Sequence, residues 1–185
     1  MGRTIRSQRK GRPDSIYKAH TFRRLGEVRY KNLDYQERHG FVKGVVKEIL
    51  HDPGRGAPVA RIQFEDPYNY KKIEKLYLAV EGMFSGQTIF CGKEAALQIG
   101  NILPVGKIPE GTLISNVEFR KGDNGKFARA SGAFVTIIAH SEDGLKTRVK
   151  LPSGIRKTID SESRGMIGVV GAGGRNEKPI LKAGT

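Results

Sequence analysis

From residue 39 onward, short apolar runs alternate with turn chemistry. Residues 41–50, Phe-Val-Lys-Gly-Val-Val-Lys-Glu-Ile-Leu, are apolar and β-branched, and Lys43 and Lys47 interrupt them as on a half-exposed strand, with a short helix the rival reading. Residues 51–58, His-Asp-Pro-Gly-Arg-Gly-Ala-Pro, must form a loop, because neither a helix nor a central strand continues through two prolines and two glycines. Period two returns over 58–65, where Ala60, Ile62 and Phe64 fall on one face and Val59, Arg61, Gln63 and Glu65 on the other. A third run covers 75–80.

A second series follows Gly82. It comprises a strand over 88–91, at most a short helix over 94–99, an extended stretch over 102–109 whose prolines exclude helix, and a turn at 109–111. Residues 112–119 and 133–139 read as strands around the loop 121–126. The strictest alternation is Leu145-Lys-Thr-Arg-Val-Lys-Leu151, which predicts Leu145, Thr147, Val149 and Leu151 inward and Lys146, Arg148 and Lys150 outward. Short strands at this spacing, with no long helical pattern between them, predict small barrels or sandwiches.

Charge changes that picture from a generic β protein to a polyanion binder. The 185 residues carry 33 Lys and Arg against 19 Asp and Glu, a net charge of +14. Residues 1–31 hold net +8, residues 32–88 are neutral, and residues 89–185 hold net +6. A neutral middle between basic ends describes a folded module with basic surfaces and a basic arm. Alone in water the arm, with few apolar anchors and a Gly-Arg-Pro break at 11–13, is expected to be disordered and to order on a polyphosphate. Successive cations at 146, 148 and 150 would stand roughly 6.6–6.8 Å apart, comparable with the phosphate spacing of a nucleic-acid strand. An ordinary solvated strand face accounts for those three equally well, but the following Arg156, Lys157, Arg164, Arg175, Lys178 and Lys182 extend the basic surface.

Other chemistries find little support. Cys91 is the only cysteine, so no disulfide framework or cysteine zinc site can form within one chain, and a reducing compartment fits. No window approaches the ~18 apolar residues of a membrane span, and the N-terminus lacks the apolar run of a secretory signal. The segment 166–174, Met-Ile-Gly-Val-Val-Gly-Ala-Gly-Gly, resembles a strand entering a dinucleotide loop. However, Arg175-Asn-Glu-Lys-Pro179 blocks the helix such a site requires, so the glycines are expected to allow close approach of phosphate or of another backbone. Residues 86–93 miss the spacing of a phosphate-binding loop, and Glu94 stands where a Ser or Thr is needed. The four histidines show no metal-ligand spacing. Tyr68 and Tyr70, set among lysines, suit base stacking or an ordinary surface equally.

Several motifs recur in one order: Gly2-Arg-Thr-Ile-Arg-Ser-Gln-Arg-Lys-Gly11, His51-Asp-Pro-Gly-Arg-Gly-Ala-Pro58, Glu81-Gly-Met83, Gly100-Asn-Ile-Leu-Pro104, Ala128-Arg-Ala-Ser-Gly132 and Lys146-Thr-Arg-Val-Lys-Leu-Pro-Ser-Gly154. With these the chain resembles, end to end, the second universal family of large-subunit ribosomal proteins in its eukaryotic cytosolic form. The resemblance implies a mainly β protein with a basic rRNA-threading arm over 1–31, an OB-fold-type β-barrel over 32–86, and an SH3-like β-barrel with a basic C-terminal segment over 87–185. It implies a structural constituent of the large (60S-type) subunit, with no reaction of its own, that organises rRNA and supports subunit association, tRNA binding and the peptidyl transferase region.

The rRNA-binding residues carried over from the resemblance are Arg3, Arg6, Arg9, Lys10, Arg12, Arg23, Arg24, Arg55, Arg129, Lys146, Arg148, Lys150, Arg156, Lys157, Arg164, Arg175, Lys178 and Lys182. Implied partners are large-subunit rRNA, neighbouring ribosomal proteins and the small subunit across the intersubunit face, with no membrane and no self-assembly. No cofactor is implied, and the one metal it leaves room for is rRNA-associated Mg2+. The implied location is the cytoplasm, after assembly through the nucleolus. Family members continue into a longer basic extension with a His-Pro-His-Gly-Gly-Gly loop near the peptidyl transferase centre. This sequence ends at Thr185, and none of its histidines takes that part. The rival that composition alone allows is a free-standing basic nucleic-acid-binding regulatory or architectural protein.

Overall fold

A computed structural model describes residues 2–12, 15–16, 21–66, 69–177, 179 and 181. It is mainly β, as expected. Among the described residues ten strands, β1 (Phe41–Leu50), β2 (Val59–Glu65), β3 (Lys72–Leu78), β4 (Thr88–Gly92), β5 (Ile102–Pro104), β6 (Leu113–Ser115), β7 (Val135–His140), β8 (Lys146–Lys150), β9 (Arg156–Asp160) and β10 (Arg164–Ile167), form one continuous sheet ordered β3-β2-β1-β4-β5-β10-β6-β7-β8-β9. Two antiparallel sets lie within it, and the parallel pairing of Cys91 with Ile102 and an antiparallel bridge between Val80 and Val170 join them.

In the first set, β1 pairs antiparallel with both β2 and β4, so the strand over 88–92 belongs with residues 41–78. Val42, Val46, Ile62, Phe64, Tyr77 and Ile89 meet inside it. Gly44 is required there, because a Cβ at that position would lie 2.6 Å from the Phe64 ring. The second set packs Val105, Ile114, Val117, Val135, Ile137, Val149 and Ile159 together. A third small core of Val28, Ala57, Val59, Leu78 and Val170 sits behind β2.

That third core corrects the prediction for Val59. Placed by alternation on the outer face with Arg61 and Gln63, it is fully buried because Val28 and Val170 cover it. The end of the basic arm is part of the fold: Val28 bridges Leu76, and Tyr30 lies edge-on to Tyr77 at 5.4 Å. Leu145 is a second correction. It is 72% exposed because β8 begins only at Lys146, whereas Thr147 and Val149 are buried as predicted.

Further differences have local causes. Residues 94–99 form turns rather than a helix. The stretch 102–109 contains a 3-10 turn, Val105–Lys107, because Pro104 is compatible with its start and only the second proline excludes helix. The strand predicted over 112–119 stops at Ser115, where Asn116 turns to φ 47°. Two five-residue helices, α1 (Arg6–Lys10) and α2 (Tyr35–His39), lay below what hydrophobic periodicity can detect. The glycine run of 168–174 approaches backbone: Gly168 and Gly171 N–H donate to the Leu113 and Ala79 carbonyls. A Cβ on Gly132 would come within 2.6 Å of Gly173 Cα. Its amides therefore tie the two strand sets together and leave no dinucleotide loop.

Candidate nucleic-acid interface

The outer face of β8 and β9 is the most regular array of cations. Lys146, Arg148 and Lys150 are exposed, and register sets Arg148 opposite Thr158 and Lys150 opposite Arg156. Like charges directly opposite one another destabilise a strand pair unless an anion lies between them. Arg148, Lys150 and Arg156 form no ion pair among the described residues; Lys146 faces Asp160 across the strands without bonding to it. Lys157 leaves this face, since it pairs with inward-facing Val149 and its Nζ lies 4.2 Å from the Phe119 ring centre and 5.2 Å from that of Phe127.

A second group converges on the loop 51–58 from four parts of the chain. Asp52 is its organising carboxylate: buried, it accepts from the Leu25 N–H at 3.0 Å and from Arg55 Nε at 3.0 Å. Burial opposes its charge, yet these hydrogen bonds and the Arg55 and Arg24 charges hold it below the usual carboxylate range. Arg24 lies over Gly54, where a Cβ would stand 3.3 Å from its Nη2, and Arg175 lies beside Gly56, where a Cβ would stand 3.5 Å from its Nη1. Gly54 needs its φ of 86°. Arg129 donates to the carbonyls of Gly125 at 3.0 Å and Val28 at 2.5 Å. Burial and the neighbouring Arg55 charge both press its guanidinium below its ordinary pKa. With Arg24 and Arg55 on the single carboxylate of Asp52 and Arg129 and Arg175 near the same loop, positive charge exceeds negative there, and such an excess attracts a further anion.

Arg164 has a different environment, and its place among the carried-over residues is corrected on that ground. It is 2% exposed, and all five of its side-chain donors are taken. Nε and Nη2 bond Glu118 at 3.0 and 2.6 Å, Nη1 bonds Glu37 at 3.0 Å and the Lys31 carbonyl at 2.8 Å, and Nη2 also reaches Asn124 at 3.2 Å. Nothing remains for a phosphate. Burial raises the Glu37 pKa despite the Arg164 charge. The network links α2 to β10 and the 118–124 turn, so it joins the two strand sets.

On the arm, Arg3, Arg6, Arg9, Lys10 and Arg12 are exposed around α1, which buries nothing, and Arg23 lies 5.6 Å from the Phe22 ring centre. Tyr70 is 93% exposed. Lys178, Lys182 and Tyr68 lie outside the described residues.

Sequence reasoning missed a third group. A cleft of about 430 Å³ between the strand sets is lined by Arg38, Lys93, Lys107 and Lys121, among other residues. No local pattern marks these cations, which come together only through the fold.

Residues 1–91 match the family model for ribosomal proteins L2, RNA binding N-terminal domain, and residues 98–185 match that for the L2 C-terminal domain. The interval between the matches is the passage from β4 to β5. The strand sets are accordingly an OB-fold-type barrel followed by an SH3-like barrel. Curated relatives called large ribosomal subunit protein uL2 align with all of this chain. That of the moth Mamestra brassicae is 55% identical, with 71% of its length covered; that of Candida glabrata is 56% identical, with 72% covered; that of Tetrahymena thermophila is 52% identical, with 70% covered.

Proposed function

Because the chain belongs to the ribosomal protein L2 family, we propose that it is a structural constituent of the large ribosomal subunit that binds and organises large-subunit rRNA. The observation that carries this reading is the unpaired Arg148, Lys150 and Arg156 face, a row of cations with no carboxylate to satisfy it. Phosphate contacts from this face and from Arg24, Arg55, Arg129 and Arg175 position the two barrels on folded RNA, while Arg3, Arg6, Arg9, Lys10, Arg12 and Arg23 follow the RNA as an extension. Lys146 adds to the strand face, and Lys178 and Lys182 extend the contact along the C-terminal segment. Arg164 is excluded, and Lys157 acts through its aromatic contacts.

In this reading the arm ends before Val28, the OB-fold-type unit runs through Gly92 and the SH3-like unit follows. The protein holds RNA rather than catalysing a reaction. Its place in the subunit brings it beside neighbouring ribosomal proteins, the small subunit, tRNA and the peptidyl transferase region, in the cytoplasm after nucleolar assembly. The test is sedimentation of the tagged chain from a cell extract through a high-salt gradient. Comigration with the large subunit and release by ribonuclease are expected. A chain that stays at the top of the gradient would overturn the reading.

A further inference from the structure

The cleft between the barrels is basic, concave and unclaimed by the contacts described above. Leu33, Ile102 and Pro104 give it apolar wall, while Arg38 comes from α2, Lys93 from the end of β4, Lys107 from the 3-10 turn and Lys121 from the 118–124 turn. Arg38, Lys93 and Lys107 make no ion pair among the described residues. Glu37 and Glu118 are consumed by Arg164 behind the wall, which leaves Glu162, bound to Lys121 at the surface, as the accessible carboxylate of the lining. Arg38, Lys93, Lys121 and Glu162 line the same cleft, and the hydrogen bond from Lys121, with the Arg38 and Lys93 charges beyond, holds Glu162 below the usual carboxylate pKa.

We infer that this cleft is an RNA subsite that takes a single unstacked nucleotide, with its phosphate on Arg38, Lys93 and Lys107 and its base against His39 and the apolar wall. The inference rests on the RNA-binding reading and deepens it. The volume lies within the roughly 300–1,000 Å³ of pockets that accept small organic groups, room for one nucleotide and too little for a duplex. His39 is already backed by the Tyr35 ring, with centroids 4.4 Å apart, and a supported imidazole is a stacking surface for an extruded base. Apolar wall beside cations suits a nucleotide better than an isolated phosphate, which needs only the charge. Lys121 exchanges Glu162 for RNA phosphate when the nucleotide enters, so Glu162 competes with the ligand.

The experiment measures binding of the chain to protein-free large-subunit rRNA and maps ultraviolet crosslinks from uridine. Arg38→Gln with Lys93→Gln and Lys107→Gln should weaken binding and lower the salt slope by about 0.7 per lost single-strand contact. It should also remove a uridine crosslink at His39 while crosslinks on β8 and β9 persist. Glu162→Gln should tighten binding by about two- to threefold, a gain that damage to the fold cannot produce. If the unaltered chain binds rRNA but both variants match it and no crosslink maps to the cleft, the cleft inference fails alone. If the unaltered chain does not bind rRNA, the functional reading fails and the inference fails with it.

Discussion

Arg164 and Arg148 lie in the same basic stretch, one strand apart in sequence from a shared neighbour, and the fold treats them as opposites. Arg164 has two buried carboxylates and every donor satisfied; Arg148 stands on an open strand face with Thr158 opposite and no carboxylate bonded to it. The first cation is a structural part of the protein, and the second is left open to solvent. Net charge therefore overstates the binding surface, and the informative quantity is the count of cations without internal partners.

The largest effect should come from breaking the buried side of this comparison. Arg164→Met strands Glu37 and Glu118 in the interior, and removing one partner of a buried pair typically costs about 3–5 kcal/mol. Urea unfolding should show that loss, while the remaining folded protein keeps its salt slope for rRNA. On the open side, Lys146, Arg148 and Lys150 changed together to Gln should leave unfolding within about 0.5 kcal/mol, yet reduce the salt slope by about 0.7–0.9 per lost phosphate contact.

Asp52 and Glu37 sharpen the contrast with acid. The folded state holds Asp52 below its ordinary pKa, so its stabilisation is present above that value and is lost as pH falls through the folded one. Glu37 is raised, so the folded state binds its proton more readily and stability from that group falls as pH rises from the ordinary value through the raised one. Asp52→Asn should accordingly flatten the loss of stability below about pH 4, and Glu37→Gln should flatten the opposing trend above it, both read from urea midpoints across pH. The smallest effect belongs to the edge of β8. Leu145→Gln should change stability by less than about 0.5 kcal/mol, whereas Val149→Ala, on the same alternation but buried, should cost about 1–3 kcal/mol.

The long strand β1, the loop at 51–58 and the alternation of β8 were legible because each is a local pattern: β-branched residues, proline with glycine, and period two. Val59 was misplaced because alternation assumes one buried face, and the third core buries both. The strand β9 escaped prediction because Arg156-Lys-Thr-Ile-Asp160 offers one buried residue, and β10 was read only from Met166 onward, as the entry to a loop, because Arg164-Gly-Met-Ile167 is buried throughout and does not alternate. In the candidate site, the cations on β8 could be read from sequence as outward-facing. The partners of Arg164 and Lys157 lie far away along the chain, and only the fold reveals that both are engaged. Asp52 pairs locally with Arg55, but the approach of Arg24 and Arg175 to the same loop again needs the fold.

The most direct test of the claim that unpartnered surface cations bind rRNA is the salt dependence of binding to protein-free large-subunit rRNA for the unaltered chain and for the chain with Arg148, Lys150 and Arg156 changed to Gln. The variant should show a slope shallower by about 2–3, with the unfolding midpoint unchanged. An unchanged slope in a folded variant would contradict that claim.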